Sequence, residues 1–167
     1  MSMNTTSTRG KGYPLEPLLL VRRRREDAAL RAASAAEEAA RAAAAAQANA
    51  ARTLEEYRGW RVQEVSRRYD AIMGRQLNRE ALRSFKAGLA ALGQQEEHLL
   101  HLWEDAAEAT RAAAAAAQAA RVEAVQAGKA TEKIAEHKKI WCTAARRAEE
   151  RGEEASLEEC ATPRAAS

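Results

Sequence analysis

The sequence has few of the residues that build a globular core, a disulfide framework or a membrane anchor. Of its 167 residues, seven are aromatic, three are proline and two are cysteine. Large apolar side chains are too sparse for a core of ordinary thickness. Their longest run, Leu18–Val21, is far shorter than the ~20 residues of a membrane span. These shortages exclude a membrane-spanning helix and a disulfide-rich domain, and they argue against a thick globular fold.

Charge and targeting signals are also weak. A net charge of +3 does not by itself indicate nucleic-acid binding. The basic cluster Arg22–Arg25 follows the apolar segment Leu15–Val21, which is the wrong side for a signal peptide. We therefore expect a cytoplasmic protein with no nucleic-acid partner and no direct membrane insertion. In that compartment Cys142 and Cys160 would be reduced thiols.

No group of residues has a spacing typical of catalysis. The sequence contains no phosphate-binding glycine loop and no recognisable pair of nucleophile and base. His98 and His101, with Glu97 and Glu104 nearby, could form a surface metal pair, but two histidines fall short of a closed site. We predict that they are solvated polar residues, that the protein is not an enzyme, and that it has no metal site and no cofactor.

Alanine is abundant, and its distribution predicts the fold. Ala28–Ala51 has alanine at 16 of 24 positions and Ala106–Ala120 at 11 of 15. The two blocks are symmetric about a point near residue 76, inside the helix-breaking segment Met73–Asn78. A chain that is helical on both sides and reverses there would lay one block against the other. The prediction is an all-α protein, a long antiparallel coiled-coil hairpin of two helices.

Local signals set the predicted boundaries. Residues 1–12 are rich in Ser, Thr, Asn and Gly and are predicted to be a disordered extension. The hairpin spans 13–155, with helix 1 at about 16–73, a turn at 74–78 and helix 2 at about 79–152. Pro17 suits a first helical turn, Gly74 a left-handed cap and Asn78 an N-cap. Residues 156–167 are predicted to be a flexible tail.

Helix 2 carries a regular apolar repeat. Its steps alternate between three and four residues, which marks a coiled-coil interface, and only two of its positions are charged: Leu82, Phe85, Leu89, Leu92, Glu96, Leu99, Trp103, Ala106, Thr110, Ala113, Ala117, Ala120, Ala124, Ala127, Thr131, Ile134, Lys138 and Trp141.

Helix 1 is less regular and is predicted to contain two frames. The first comprises Leu18, Val21, Ala28, Ala32, Ala35, Ala39, Ala42 and Ala46, and the second comprises Leu54, Val62, Val65, Tyr69 and Ile72. A stutter near Ala50 would connect them. With the reversal near residue 76, residue i would face roughly residue 152 − i, so Leu18 would meet Ile134.

Three aromatic residues could serve as partner contacts. Tyr57 and Trp60 lie partly outside the predicted interface, and exposed rings favour binding surfaces. The alternative, that both wrap the interface and pack on Leu92, is equally open. Trp141 would either pack on Tyr13 and Leu15 or contact a partner.

Four segments, in order, resemble type III secretion stalk proteins of the YscO/SctO family. Tyr13–Leu19, with the basic start of helix 1, looks like their opening, and Leu54–Arg61 with Glu64 resembles the end of their first helix. Gly74–Leu77, with Leu82 and Leu92, resembles their turn. Lys133, His137–Lys139 and Trp141, before a Glu-rich tail, resemble their C-terminal end.

This resemblance implies a function. The family is similar to the flagellar protein FliJ and to the central stalk of rotary ATP synthases. It implies a cytoplasmic stalk that associates with the hexameric secretion ATPase, links it to the cytoplasmic domain of the export gate, and is also connected with secretion chaperones. By analogy with the rotary stalk, the ATPase-facing residues are Leu18, Arg22, Arg23, Arg24, Arg25, Lys133, His137, Lys138 and Trp141. Separately from the resemblance, the expected exposure of Tyr57, Trp60 and Phe85 suggests that they contact the export gate or a chaperone.

Other functions and arrangements remain open at this point. The chain could be a coiled-coil scaffold or chaperone escort without an ATPase, or a protein that acts on membrane surfaces through Arg22–Arg25. Two chains could also open out and pair as one dimeric rod, since an interface pattern does not say which chain supplies the partner.

Overall fold

The computed structural model describes residues 12–161 and contains two long helices. Helix α1 spans Glu16–Ile72 and helix α2 spans Arg79–Ala161, and the described residues form no strand. The prediction of an all-α antiparallel hairpin is confirmed. Most of the predicted N-terminal extension, residues 1–11, and the last part of the predicted tail, residues 162–167, lie outside the described residues.

The helix ends follow local sequence signals. At the reversal, Gly74 has a φ of 76°, the left-handed conformation that glycine adopts without strain. The side-chain Oδ1 of Asn78 then accepts a hydrogen bond from the main-chain N of Ala81 at 2.8 Å, which caps α2. α2 ends at Ala161 rather than near residue 152. No proline occurs between Pro17 and Pro163, and the Glu, Ala and Arg residues of this last part of the chain favour helix.

The chain divides into two compact units, and the first comprises residues 12–31 with 121–161. Here the start of α1 runs antiparallel to the later part of α2. Leu19 is fully buried, and Ala124 and Thr131 of α2 are buried too. The carboxylate Oε1 of Glu26 lies 3.4 Å from where a Cβ on Gly128 would stand. A small residue at that position lets a charged side chain of α1 lie against α2.

The second unit comprises residues 32–120 and includes the chain reversal. Leu54 and Leu92 are its largest buried side chains, and alanines supply most of the remaining interface. The hydroxyl of Thr110 donates to the main-chain oxygen of Ala43 on the opposite helix at 3.0 Å. Nearer the turn, the rings of Tyr69 and Phe85 meet edge to face at 5.1 Å. The helices are therefore antiparallel here as well.

The interface predicted for helix 2 is confirmed. Of its eighteen positions, all are buried or half-buried except Leu82, which is 42% exposed at the start of the helix. Charged Glu96 and Lys138 lie on the interface because each pairs with a side chain of α1. The pattern identified the right face of α2 over most of its length.

The interface predicted for the first half of helix 1 is wrong by one residue. Leu18, Val21, Ala28 and the five alanines of that frame are all exposed. In the first unit the less exposed positions of α1 are Glu16, Leu19, Arg22, Glu26 and Ala29. In the second unit Glu37, Ala51 and Val65 are half-buried, and the main row comprises Ala33, Ala36, Ala40, Ala43, Gln47, Ala50, Leu54, Tyr57, Arg61, Glu64, Arg68 and Ile72.

These positions follow one frame, so no stutter occurs near Ala50. Of the predicted second frame, Leu54, Val65 and Ile72 lie at the interface, whereas Val62 is 71% exposed and Tyr69 is 47% exposed. Polar side chains take interface positions that an apolar pattern cannot register, among them Gln47, Arg61 and Glu64. That is why the apolar residues alone suggested two frames.

The pairing register is close to the predicted one. Glu16 pairs with Lys138 in the first unit, and Arg58 pairs with Glu96 in the second. In both pairs the residue numbers add to 154, against a predicted 152. The specific pairing of Leu18 with Ile134 is wrong, because Leu19 rather than Leu18 is buried.

Candidate partner-binding surfaces

An aromatic cluster joins the start of the chain to α2 in the first unit. Tyr13 is buried, and its ring centroid lies 5.7 Å from those of both His137 and Trp141. Its hydroxyl is 2.7 Å from Nδ1 of His137. Lys138 adds an ion pair with Glu16, with Nζ 2.6 Å from Oε2. Of the two alternatives predicted for Trp141, packing on Tyr13 is therefore present. Tyr13 had no predicted role beyond that packing, because it precedes Pro14 and lies outside the helical repeat.

The nine residues predicted to face the ATPase all lie in this unit, but they differ in exposure. Exposed members are Leu18, Arg23, Arg24, Arg25, Lys133 and His137. Half-buried members are Arg22, Lys138 and Trp141. Lys138 and Trp141 make internal contacts and support the surface. The exposed arginines form no ion pair within residues 12–161, so their charge is available to a partner.

The aromatic residues predicted to face a gate or chaperone lie in the second unit, and they also differ. The hydroxyl of Tyr57 donates to the main-chain oxygen of Leu92 at 2.9 Å, and its ring lies 5.4 Å from that of Trp60. Phe85 is half-buried against Tyr69. Trp60 is 48% exposed. Tyr57 thus packs beside Leu92, as one alternative held, whereas Trp60 presents its ring outward.

Two ionic clusters lie at the helix interface of the second unit. Glu96 of α2 accepts from Arg58 at 2.9 Å and also binds Arg61. Hydrogen bonds from Arg58 and then Arg61 lower the pKa of the Glu96 carboxyl. The sequence pattern placed Glu96 at the interface but did not identify its partners. The signal that could have identified these partners is the position of Arg58 and Arg61, which lie on or next to the interface face of α1.

The second cluster lies within α1. Glu64 is buried and accepts from Arg67 at 2.8 Å and from Arg68 at 2.7 Å. These hydrogen bonds, led by that from Arg67, lower the pKa of Glu64 from 4.5 to about 2. Both carboxylates are charged at neutral pH. The clusters therefore fix charge pairs at the interface rather than supply a group for acid–base chemistry.

The remaining polar candidates are on the surface. His98 and His101 are exposed, and Nδ1 of His101 lies 3.2 Å from Oε2 of Glu104. Residues 12–161 contain no group of three or more His, Cys, Asp or Glu side chains arranged to hold a metal ion. Cys142 and Cys160 are both free and exposed.

Neither helix, over its described residues, contains a segment that is both long and apolar enough to cross a bilayer.

Comparison with known proteins identifies a family. The sequence profile described as "Type III secretion protein YscO" matches residues 15–163. Among proteins with curated descriptions, none matches significantly.

Two solved structures share the fold. Type III secretion protein YscO from Vibrio parahaemolyticus superposes with a TM-score of 0.80 at 24% sequence identity, over 87% of this chain and 91% of that one. A YscO homologue from Chlamydia trachomatis superposes with a TM-score of 0.71 at 22% identity, over 89% of this chain and 91% of that one.

Proposed function

Because the chain belongs to the YscO family of type III secretion proteins, we propose that it is a non-enzymatic stalk at the cytoplasmic face of a secretion apparatus. In this role it associates with the hexameric export ATPase and links it to the cytoplasmic domain of the export gate. It needs no cofactor. Two observations support this role: the family membership, and an exposed charged surface in the first unit of the hairpin.

The observation that carries the ATPase contact is the pairing of exposed arginines with a rigid support. Arg23, Arg24 and Arg25 are exposed directly after the fully buried Leu19. The aromatic cluster of Tyr13, His137 and Trp141 ties this part of α1 to α2. Since the arginines are held on a fixed helix, a partner with acidic residues would bind them without ordering a flexible segment first.

The test is stimulation of the cognate secretion ATPase. Purified full-length chain is mixed with that ATPase, and ATP hydrolysis and ring assembly by light scattering are measured. We expect stimulated turnover and hexamer formation, and we expect R23E/R24E/R25E to lose both. The matched control R41E/R52E/R111E changes three exposed arginines of the second unit and should retain stimulation. If both variants stimulated the ATPase equally, the three arginines would not be the contact. If the unmodified chain gave no stimulation, the stalk proposal would be wrong.

A second contact, with the export gate or a secretion chaperone, is proposed for Trp60. Its half-exposed ring is held in place by Tyr57, and exposed tryptophans at fixed positions are frequent binding hot spots. The W60A variant should lose capture of the gate domain or of chaperones while its helicity is unchanged. L30A, which truncates an apolar residue of similar exposure in the first unit, is the control. If W60A captured these partners as well as the unmodified chain does, the proposed contact through Trp60 would be wrong.

A further inference from the structure

The end of the second unit at the chain reversal combines exposed apolar and basic side chains. We call this surface the turn patch. Its apolar members are Tyr69, Met73, Leu77 and Leu82, which are 40–74% exposed. Its basic members are Arg75, Arg79, Arg83 and Lys86, all exposed. Tyr69 and Leu82 were predicted interface positions, and the proposed function gives none of the eight residues a role.

The fold places these side chains together. Arg79, Leu82, Arg83 and Lys86 are spaced i, i+3, i+4 and i+7 along α2, so they share one face of the helix. Tyr69, in the last turn of α1, contacts Phe85 across the interface. The turn itself contributes Met73, Arg75 and Leu77.

The basic side chains of the turn patch are free to bind an external anion. None of the four forms an ion pair within residues 12–161, although Asp70 and Glu80 are nearby in sequence. Arg67 and Arg68, by contrast, are already bound to Glu64. The patch thus keeps its positive charge beside apolar side chains that are 40–74% exposed.

We propose that the turn patch docks on an anionic phospholipid surface. Basic side chains around apolar ones are typical of segments that lie in the membrane interface. Arginine and lysine bind lipid phosphates with their charged ends while their apolar stems lie beside the acyl chains. Met73 and Leu77, which are 74% and 40% exposed at the reversal, would enter the headgroup region first. This contact is peripheral, and it does not require that the ATPase be a partner.

The experiment is flotation of the full-length chain with vesicles. One set contains equal parts of phosphatidylcholine and phosphatidylglycerol, and the other contains phosphatidylcholine alone. We expect binding to the anionic vesicles only, weakened by salt. R75Q/R79Q/R83Q should weaken it by roughly a hundredfold, as expected for three basic residues at a lipid surface. The control R41Q/R52Q/R111Q removes the same charge elsewhere in the second unit and should bind within about threefold of the unmodified chain. Circular dichroism checks that both variants remain helical.

A second measurement locates the contact. In a C142S/C160S background, M73C and A48C are each labelled with a polarity-sensitive fluorophore; position 48 is exposed on α1. A blue shift at position 73 and none at position 48 on anionic vesicles supports docking through the turn patch. Three results would overturn it: no binding to anionic vesicles, equal loss in both arginine variants, or binding without a shift at position 73. Specific capture of an acidic protein by the patch without vesicle binding would assign it to a protein partner instead.

Discussion

Arg68 of α1 fills the space beside Gly88 of α2: its Nη1 atom lies 2.6 Å from where a Cβ on Gly88 would stand. The same guanidinium group donates from Nε to Glu64 at 2.7 Å. A side chain at Gly88 would therefore displace an arginine that is already bound. The absence of a side chain at Gly88 in α2 therefore leaves room for the ionic cluster of Glu64 and Arg68 in α1.

Alanine at the two nearby glycines of α2 should have different effects. In a helix interior, Gly→Ala ordinarily stabilises by about 1 kcal/mol. G93A should show this increase in the free energy of unfolding, because no atom lies within 4 Å of the added Cβ. G88A should gain less or lose stability, because Arg68 must move. Urea unfolding followed by circular dichroism measures both, and an equal gain would show that Arg68 relocates without cost.

The hydroxyl of Tyr57 should stabilise the hairpin. Y57F removes its hydrogen bond to the main-chain oxygen of Leu92 and should lower the free energy of unfolding by about 1 kcal/mol. Y69F is the matched control, because the Tyr69 hydroxyl has no hydrogen-bond partner within residues 12–161. Equal effects in chemical denaturation would contradict the assignment.

The two neighbouring leucines at the start of α1 should differ sharply. Leu19 is fully buried, whereas Leu18 is 37% exposed. L19A should cost about 2–5 kcal/mol of unfolding free energy, and L18A less than about 1 kcal/mol. Thermal and urea unfolding distinguish them. If L18A were the more damaging variant, the interface frame of α1 described here would be wrong.

Glu64 should make stability depend on pH in acid. Its pKa is lowered from 4.5 to about 2 in the folded chain, so the unfolded state binds its proton first as the pH falls. Its contribution is fully present above pH 4.5 and is lost as the pH falls through about 2. E64Q should therefore destabilise at neutral pH, and the difference from the unmodified chain should shrink toward pH 2.

The control for this effect is E97Q, which changes an exposed carboxylate that has no ion pair within residues 12–161. Thermal unfolding of the three proteins across the acidic range would provide the comparison. A destabilisation by E64Q that stays constant down to about pH 2 would show that packing, not charge, is responsible.

The sequence predicted α2 better than α1 for a physical reason. In α2, the large side chains of Phe85, Leu92 and Trp103 recur at the spacing of one helix face, so the face toward α1 could be identified. In α1, the block Ala28–Ala51 has alanine on nearly every face, and a frame through Ala32 and Ala35 looks as apolar as the true frame through Ala33 and Ala36. Periodicity requires contrast between faces, and this block has none.

The binding surfaces show the same division. The contact of Tyr13 with Trp141 and the packing of Tyr57 beside Leu92 follow from helical spacing and approximate register, and each was one of two predicted alternatives. The pairing of Arg58 and Arg61 with Glu96 was not predicted, because it needs the register to within a turn. The exposure of Trp60 depends on how far α2 covers that side of α1, which spacing alone does not fix.

The ion pairs of Glu96 with Arg58 and Arg61 fix the alignment of the two helices in an otherwise repetitive chain. Where alanine packs against alanine, a shift of one helix by a heptad leaves the packing unchanged. The alanine blocks therefore tolerate several alignments of the two helices. A slip of seven residues in either direction would bring Leu89 or Trp103, in place of Glu96, to Arg58 and Arg61. Arg58 and Arg61, which are partly exposed, would then lose their counter-charge, and this loss disfavours the slipped alignments. A hairpin pulled apart by a partner would therefore close again in the alignment from which it started.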